Sequence, residues 1–359
     1  MKILVDIQHP AHFHFFKNFI KAMENKNNQI KITAKEKEIT LTLLDYFGFD
    51  YDRTGKTRSN LFTKALGMVE IDLKLLKVVK NFKPEILLGI HNESVAQVGF
   101  VTNRPSVIFT DTEIVGLGDL VTFPFATVIC TPTCFRKNLG RKHIRYNGYH
   151  ELAYLHPRYF TPDLEVLEML NLSKNDSIII LRFISWRAAH DIGLRGIKRG
   201  QEVNFIRSLE RYGQVFITSE GKLGRELEKY RLNIPPHKIH SLLYYASLYI
   251  GEGGTMAAEA AILGTPAIHI ESTSNGVATG ELTGNFRELR DKYGLLYFYP
   301  DQNQALEKAI EILENDRSKR EWQKKRKKLL KDKIDVTAWI VDFIERYPES
   351  FYEYKEKNS

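Results

Sequence analysis

The sequence predicts an α/β chain of two doubly wound, Rossmann-like domains facing a cleft. Three observations carry that expectation. Short β-branched runs alternate with helical patterns. The alternation halts at a polar stretch with two prolines, His156 to Asp163, and then restarts. The chain has 359 residues, more than one ordinary core takes and enough for two. The expected boundaries are 1–155 for the first domain, 156–171 for a linker and 172–334 for the second domain. A helix and tail over 335–359 are expected to pack back on the first domain.

In the first domain, Ile3–Ile7, Ile30–Ala34, Ile86–Ile90, Val107–Asp111 and Thr127–Thr131 read as buried parallel strands. Helical patterns fall over Phe13–Glu24, Leu61–Phe82 and Ser94–Val101. In the second, Ile178–Phe183, Gln214–Thr218, Leu248–Gly251 and Pro266–Ile270 read as strands, each followed by a turn and a helical pattern. Asn303–Leu313, Arg317–Lys331 and Val336–Tyr347 read as helices, and the polar tail from Tyr354 to Ser359 as disordered.

The most informative segment runs from Tyr249 to Ile268. A strand enters the turn Gly251-Glu-Gly253-Gly254-Thr255, which opens a helix carrying Glu259, and Gly264 and Pro266 end that helix. Glycines let backbone approach a ligand closely. The first N–H groups of a helix have no partner within it, so such a turn binds phosphate. Thr255 can cap the helix or bond a phosphate oxygen. Glu259, one turn on, can meet a ribose.

A second segment, Asp6-Ile-Gln-His9-Pro-Ala-His12-Phe-His14, follows the first strand, where open α/β sheets place ligands. His9 and His12 can bond a diphosphate, and an imidazole there can carry a proton near neutral pH. His14 reads as a helix-surface residue. No HExxH pattern or carboxylate triad accompanies these histidines, so no metal is expected. Acids follow two other strands. Glu93 follows Ile90, where it equally reads as a helix cap with Ser94. Asp111 and Glu113 follow Phe109, and Glu113, with no obvious structural task, is the preferred general base. In the second domain, Arg182 and Arg187 can neutralise phosphate. Ser219 ends the next strand, and His240 to Leu243, Leu242 among them, can bracket a base.

Composition bounds the partners. The net charge is +8, suiting either an anionic ligand or plain solubility. Nucleic acid is disfavoured, because the basic run Arg317 to Lys333 has little aromatic interleaving and reads as a solvated helix face. The stretch Lys56 to Lys83 interleaves basic and apolar residues, so it either packs on the first sheet or touches an anionic membrane. Two cysteines, Cys130 and Cys134, make no disulfide framework and fit a reducing cytoplasm, with peripheral contact at the inner membrane face as the alternative.

These residues together resemble the nucleotide-sugar proteins of the GT-B superfamily. Relatives there include the UDP-N-acetylglucosamine 2-epimerases and the glucosaminyltransferase that forms the lipid-linked peptidoglycan precursor. The opening His9-Pro-Ala-His12-Phe-His14-Phe looks like an uncharacterised prokaryotic family beside them. The resemblance implies that Gly253, Gly254 and Thr255 form the diphosphate turn and that Glu259 is the ribose acid. It places the His9–His12 loop where the transferases keep a glycine-rich loop, and Asp111 and Glu113 near the acids of the epimerases. The epimerase pattern His-x-Glu-Ala-Gly-Leu-Arg is replaced here by Thr110-Asp-Thr-Glu-Ile-Val-Gly.

The implied activity is a metal-independent glycosyltransferase of polysaccharide assembly, with a nucleotide sugar, UDP-linked by resemblance, as substrate and no cofactor. The acceptor would be a saccharide or a lipid-linked compound. The alternatives are an NDP-sugar 2-epimerase and a non-catalytic nucleotide-sugar binder.

Overall fold

The computed structural model describes residues 1–56, 61–114, 116–184, 194–198, 200–219 and 221–357, those at 61–66, 117 and 357 by backbone alone. The chain divides into two compact units. Met1–Tyr159 with Ile334–Ser359 form the first, and Phe160–Lys333 the second.

The first unit alternates β1 (Lys2–Ile7), α1 (Pro10–Glu24), β2 (Gln29–Glu36), α2 (Thr40–Tyr46), β3 (Tyr51–Lys56), α3 (Leu61–Phe82), β4 (Ile86–Ile90), α4 (Glu93–Val101), β5 (Ser106–Phe109), α5 (Leu117–Thr122), β6 (Val128–Pro132) and β7 (His143–Tyr146), followed by the short α6 (Leu152–Leu155). The strands form one parallel sheet in the order β3-β2-β1-β4-β5-β6-β7. Strands buried on both faces read as continuous apolar runs, which is why β1, β4 and β6 were legible. On one face, Leu75 and Val79 of α3 and Val95 and Val98 of α4 pack over Leu4, Leu87, Ile108 and Ile129. On the other, the buried Phe13, Phe16, Phe19 and Ile20 of α1 cover the sheet. Each such ring or branched side chain contributes about 1.5–3 kcal/mol when fully buried.

The second unit starts with α7 (Glu165–Glu168) and continues through β8 (Ile178–Phe183), β9 (Leu194–Arg195), α8 (Glu202–Leu209), β10 (Gln214–Ser219), α9 (Ile239–Tyr245), β11 (Leu248–Gly251), α10 (Gly254–Leu263), β12 (Ala267–Ile270), β13 (Ser272–Thr273), α11 (Gly284–Asp291), β14 (Leu296–Tyr299), α12 (Gln302–Glu314) and α13 (Ser318–Asp332). Five strands form a parallel sheet in the order β10-β8-β11-β12-β14, and β9 pairs antiparallel with β13. The chain then returns to the first unit with α14 (Val336–Glu345) and α15 (Glu349–Lys357). There α14 packs beside α1 and α6, burying Ile340, Phe343 and Ile344.

Several expectations need correction. β3, β7 and β14 carry polar or aromatic residues at alternate positions and end their sheets, so they lack the apolar run of a central strand. β5 ends at Phe109, which leaves Asp111 in the following loop. The chain crosses at Tyr159/Phe160, and residues beyond it are fastened to the second unit: the Asp163 N–H donates to Ser241 Oγ at 3.1 Å. The tail is helical through Lys357, and the Tyr354 ring packs edge-on against Trp339 and tilted against Phe343. In α3, Ile71, Leu75 and Val79 are buried on the first unit, while Val69 and Leu73 are exposed. His14 is buried, its ring stacked on Tyr154 at 5.2 Å. No helix among the described residues is long and apolar enough to cross a membrane.

The return of α14 demands close approach. A Cβ on Gly148 would stand 2.4 Å from Cγ2 of the buried Val336. Gly148→Ala should therefore destabilise the first unit by about 1–3 kcal/mol through overpacking. Adding Val336→Ala should recover part of that loss. Chemical denaturation of the single and double variants reads both; no recovery would place the strain elsewhere.

Candidate functional site

The carboxyl edge of the first sheet gathers four histidines. β1 pairs with β4 at Val5↔Leu88, and β4 with β5 at Ile90↔Phe109, so the loops leaving the three strands emerge side by side. A buried carboxyl ties them. Asp6 accepts hydrogen bonds from Thr33 Oγ1 (2.5 Å), Asn92 Nδ2 (2.7 Å) and Gln8 Nε2 (2.9 Å). Asn92 Oδ1 in turn caps α4 by accepting from the Val95 N–H at 3.0 Å. Burial raises the Asp6 pKa, and the three donors oppose it.

His9 caps α1, its Nδ1 accepting from the Ala11 N–H at 3.1 Å, and its ring lies 5.8 Å from that of His12. His12 keeps some exposure, but its Nδ1 is sealed off without a hydrogen bond. Burial holds its pKa well below the ordinary imidazole value, and the charges of His9, Lys37, His150 and His91 push the same way. His12 is therefore neutral at neutral pH.

Two imidazole–carboxylate pairs complete the edge. His150 Nδ1 stands 3.6 Å from Asp111 Oδ1, while its Nε2 is buried with no hydrogen bond among the described residues. Phe15 packs against the His150 ring at 4.6 Å. His91 Nε2 stands 3.5 Å from Asp119 Oδ1, and its Nδ1 shares a 3.1 Å hydrogen bond with Thr110 Oγ1. Burial lowers both pKa values and the nearby aspartates partly restore them. A ring positioned by a carboxylate, with its other nitrogen free, is the arrangement that takes a proton from a hydroxyl. Among the described residues, no three of these side chains converge as a set able to hold a metal ion.

The acids expected to act alone are placed differently. Glu113 is buried and accepts a hydrogen bond from the Arg136 backbone N–H, so it fastens the loop after β6; the expectation that it lacks a structural task is corrected. Glu93 opens α4 as its first residue, and burial raises its pKa. His150 and His91 were not singled out as site residues. Their one signal is position, since each follows the last residues of a strand in this sheet.

The second unit builds its edge around the glycine turn. Gly253 has φ +82°, and a Cβ there would stand 3.1 Å from Ile184 Cγ2 and 3.3 Å from Arg182 Nε. A side chain is therefore strained there by conformation, and its neighbours would have to give by a few tenths of an ångström. Gly253 is the N-cap of α10 and offers no side-chain cap, which leaves the first N–H groups of the helix for an anion. Gly254 lies next to the Phe286 ring, and Thr255 is exposed in the first turn. The register Gly251↔Arg182 lays the arginine beside the turn. Glu252 is buried and accepts from the Ile184 and Ile197 N–H groups at 2.9 and 2.8 Å.

Glu259 is buried and shares a 3.0 Å hydrogen bond with His240 Nε2 of α9. Ser219 Oγ accepts from the Gly221 N–H at 3.2 Å in the turn after β10. Leu242 is fully buried in the core, so its expected place at a nucleotide base is corrected. Arg187 lies outside the described residues. Sequence reasoning missed His269, the penultimate residue of β12, buried, with Nδ1 lacking a hydrogen bond among the described residues and its ring 5.1 Å from Phe286.

Solved enzymes of low sequence identity share this fold of two parallel-sheet units. A UDP-GlcNAc 2-epimerase from Neisseria meningitidis bound to UDP-GlcNAc superposes with a TM-score of 0.67 at 12% identity, over 96% of this chain and 100% of that one. MnaA of S. aureus, solved with UDP, gives 0.66 at 13% identity over 97% of each chain. A glycosyltransferase of Streptomyces sp. gives 0.57 at 12% identity, over 96% of this chain and 100% of that one. The chain thus shares the GT-B fold of these enzymes. By sequence, an uncharacterized protein of Methanocaldococcus jannaschii is 26% identical over 281 residues, 75% of this chain and 81% of that one. Residues 1–347 match one sequence family, and the chain belongs to it: the family described as "Protein of unknown function (DUF354)".

Proposed function

We propose that the chain is a nucleotide-sugar-dependent glycosyltransferase of the cytoplasm that works without a metal ion. The second unit holds the nucleoside diphosphate on the uncapped start of α10, with Arg182 and the helix dipole stabilising the leaving group. Glu259 meets the ribose. The first unit supplies the base. The observation that carries the reading is the His150–Asp111 pair with its unpartnered Nε2. Nε2 takes the proton of an acceptor hydroxyl, whose oxygen attacks the anomeric carbon as the diphosphate departs, and Asp111 stabilises the imidazolium. His12, neutral, donates or accepts a hydrogen bond beside it. The acceptor is a saccharide or a lipid-linked compound.

A 2-epimerase is the second reading, favoured by the His91–Asp119 pair on the same edge. Moving a carbon-bound proton off one face and back onto the other uses two proton carriers. The likeness to solved UDP-GlcNAc 2-epimerases supports it as well. Incubation with UDP sugars in deuterated solvent separates the readings. Released UDP in the presence of an acceptor supports transfer. Deuterium at the sugar carbon supports epimerisation. Tight binding with neither leaves a non-catalytic binder.

Four variants test the assignments. Gly253→Ala should weaken UDP affinity about tenfold or more, because the required backbone costs a residue with a Cβ about 1–3 kcal/mol; an unchanged affinity by calorimetry makes the turn purely structural. Glu259→Ala should lose about 1.5–3 kcal/mol of UDP binding with the loss of a charge-assisted hydrogen bond. If the melting temperature falls while affinity holds, Glu259 serves His240 alone.

His150→Gln should reduce turnover by about a hundredfold to ten-thousandfold and keep UDP affinity. The base must be neutral, so activity is retained at high pH and lost on acidification through the His150 pKa. Burial places that acid limb below the ordinary imidazole value of 6.5. Asp111 raises the same pKa, so Asp111→Asn should move the limb to still lower pH while reducing the maximum rate. A pH profile unchanged in both variants would place the base elsewhere.

A further inference from the structure

The amino edge of the first sheet, opposite the histidines, carries a pattern that the glycosyl-transfer reading does not use. β4, β5, β6 and β7 are parallel neighbours, paired at Leu87↔Ser106, Val107↔Val128 and Ile129↔His143. Their starts therefore lie side by side. Cations precede three of them: Lys83 before β4, Arg104 before β5, and Arg141 with Lys142 before β7. Phe125 precedes the fourth, β6. The side chains of Lys83, Arg104 and Arg141 have no hydrogen bond or ion pair among the described residues. Lys142 Nζ donates to the Pro124 carbonyl at 2.7 Å and likewise has no ion pair there. The segments that lead into these strands hold one acid, Glu85, which accepts the Lys2 backbone N–H at 2.8 Å. Asp119 of α5 is taken by Lys137 and His91, at 3.3 and 3.5 Å.

Beside these cations the surface is apolar. Phe100 (65% exposed) and Val101 (73%) end α4, and Leu120 (68%) and Val121 (38%) lie in α5. The two helices are joined there, since Gln97 Nε2 donates to the Val121 carbonyl at 3.0 Å. Residues three and four apart share a helix face, so Phe100 and Val101 stand next to Gln97 and hence to α5. The Phe100 ring packs edge-on to Phe125 at 5.5 Å. With Arg104 and Lys142 it lines one hollow of about 380 Å³, which joins the apolar patch to the cations.

We propose that this face docks on an anionic membrane surface. Clustered large apolar side chains left in water mark a surface with a partner. The cations are drawn to negative headgroups, and the apolar side chains between them enter the boundary with the acyl chains. A nucleic acid would use the cations but give Val101, Leu120 and Val121 nothing to bury against. The face lies wholly in the first unit and shares no residue with the histidine edge or the glycine turn, so it stands apart from the proposed reaction.

The test is sedimentation of the full chain with phosphatidylglycerol vesicles at low salt, against phosphatidylcholine vesicles. The chain should bind the first, bind the second about tenfold or more weakly, and be released as salt screens the attraction. Arg104→Gln with Arg141→Gln should weaken binding about twentyfold, because each cation at the surface is worth about fivefold. Phe100→Ser with Leu120→Ser, both at exposed positions, should weaken it about tenfold or more at an unchanged melting temperature. No sedimentation with phosphatidylglycerol, equal sedimentation with both vesicles, or binding that either pair of substitutions leaves unchanged overturns the proposal. Two further outcomes overturn it too. Self-association abolished by Phe100→Ser with Leu120→Ser, without vesicle binding, gives the face to a second copy of the chain. RNA binding abolished by Arg104→Gln with Arg141→Gln, without vesicle binding, gives it to a nucleic acid.

Discussion

The buried carboxyl of Asp6 is the constraint on which the first unit's edge depends. A carboxyl with no exposed surface is costly unless every oxygen is bonded. Here the donors come from Gln8, Thr33 and Asn92, in the segments after β1, in β2 and after β4. Satisfying one buried group therefore fixes three segments. Two of them carry His9, His12 and His91, and Asn92 passes the constraint on by capping α4. The imidazoles thus stand on elements whose positions are set by a hydrogen-bond network beneath them.

The second unit solves the same problem with Glu252. Its carboxylate accepts two backbone N–H groups, from Ile184 after β8 and Ile197 beyond β9. That fastens two neighbouring segments to the residue just before Gly253. The turn can then be left uncapped, because its geometry is held from below and not by a side chain over the helix start. Placing the bonded acid under the turn leaves the helix N-terminus open to an anion. In each unit a buried acid organises the edge, and other groups are presented for chemistry.

This division bears on Glu113, which the sequence alone offers as a base without a structural task. A carboxylate after a strand serves as a base or as an acceptor for loop N–H groups, and sequence position does not distinguish the two. Glu113 took the second role because the loop after β6 brings the Arg136 N–H to it. His150, which stands 3.6 Å from Asp111, comes from the loop after β7, an edge strand whose polar, aromatic sequence hid it. Leu242 failed for a related reason: adjacent to the right elements, it points into the core.

What the sequence determined by itself is what short stretches determine. Apolar runs marked the central strands, 3.6-residue periodicity marked the long helices, and the pair Gly253-Gly254 marked the tight turn between strand and helix. Strand ends then located both edges where ligands meet such sheets. Only the tertiary structure decided which residues meet: Arg182 beside the turn through the Gly251 register, His240 against Glu259, His150 against Asp111, and, from the far end of the chain, Lys355 against the His143 carbonyl. Those pairings depend on strand register and on the return of α14 and α15. Both are set by packing over distances in sequence that no local pattern spans.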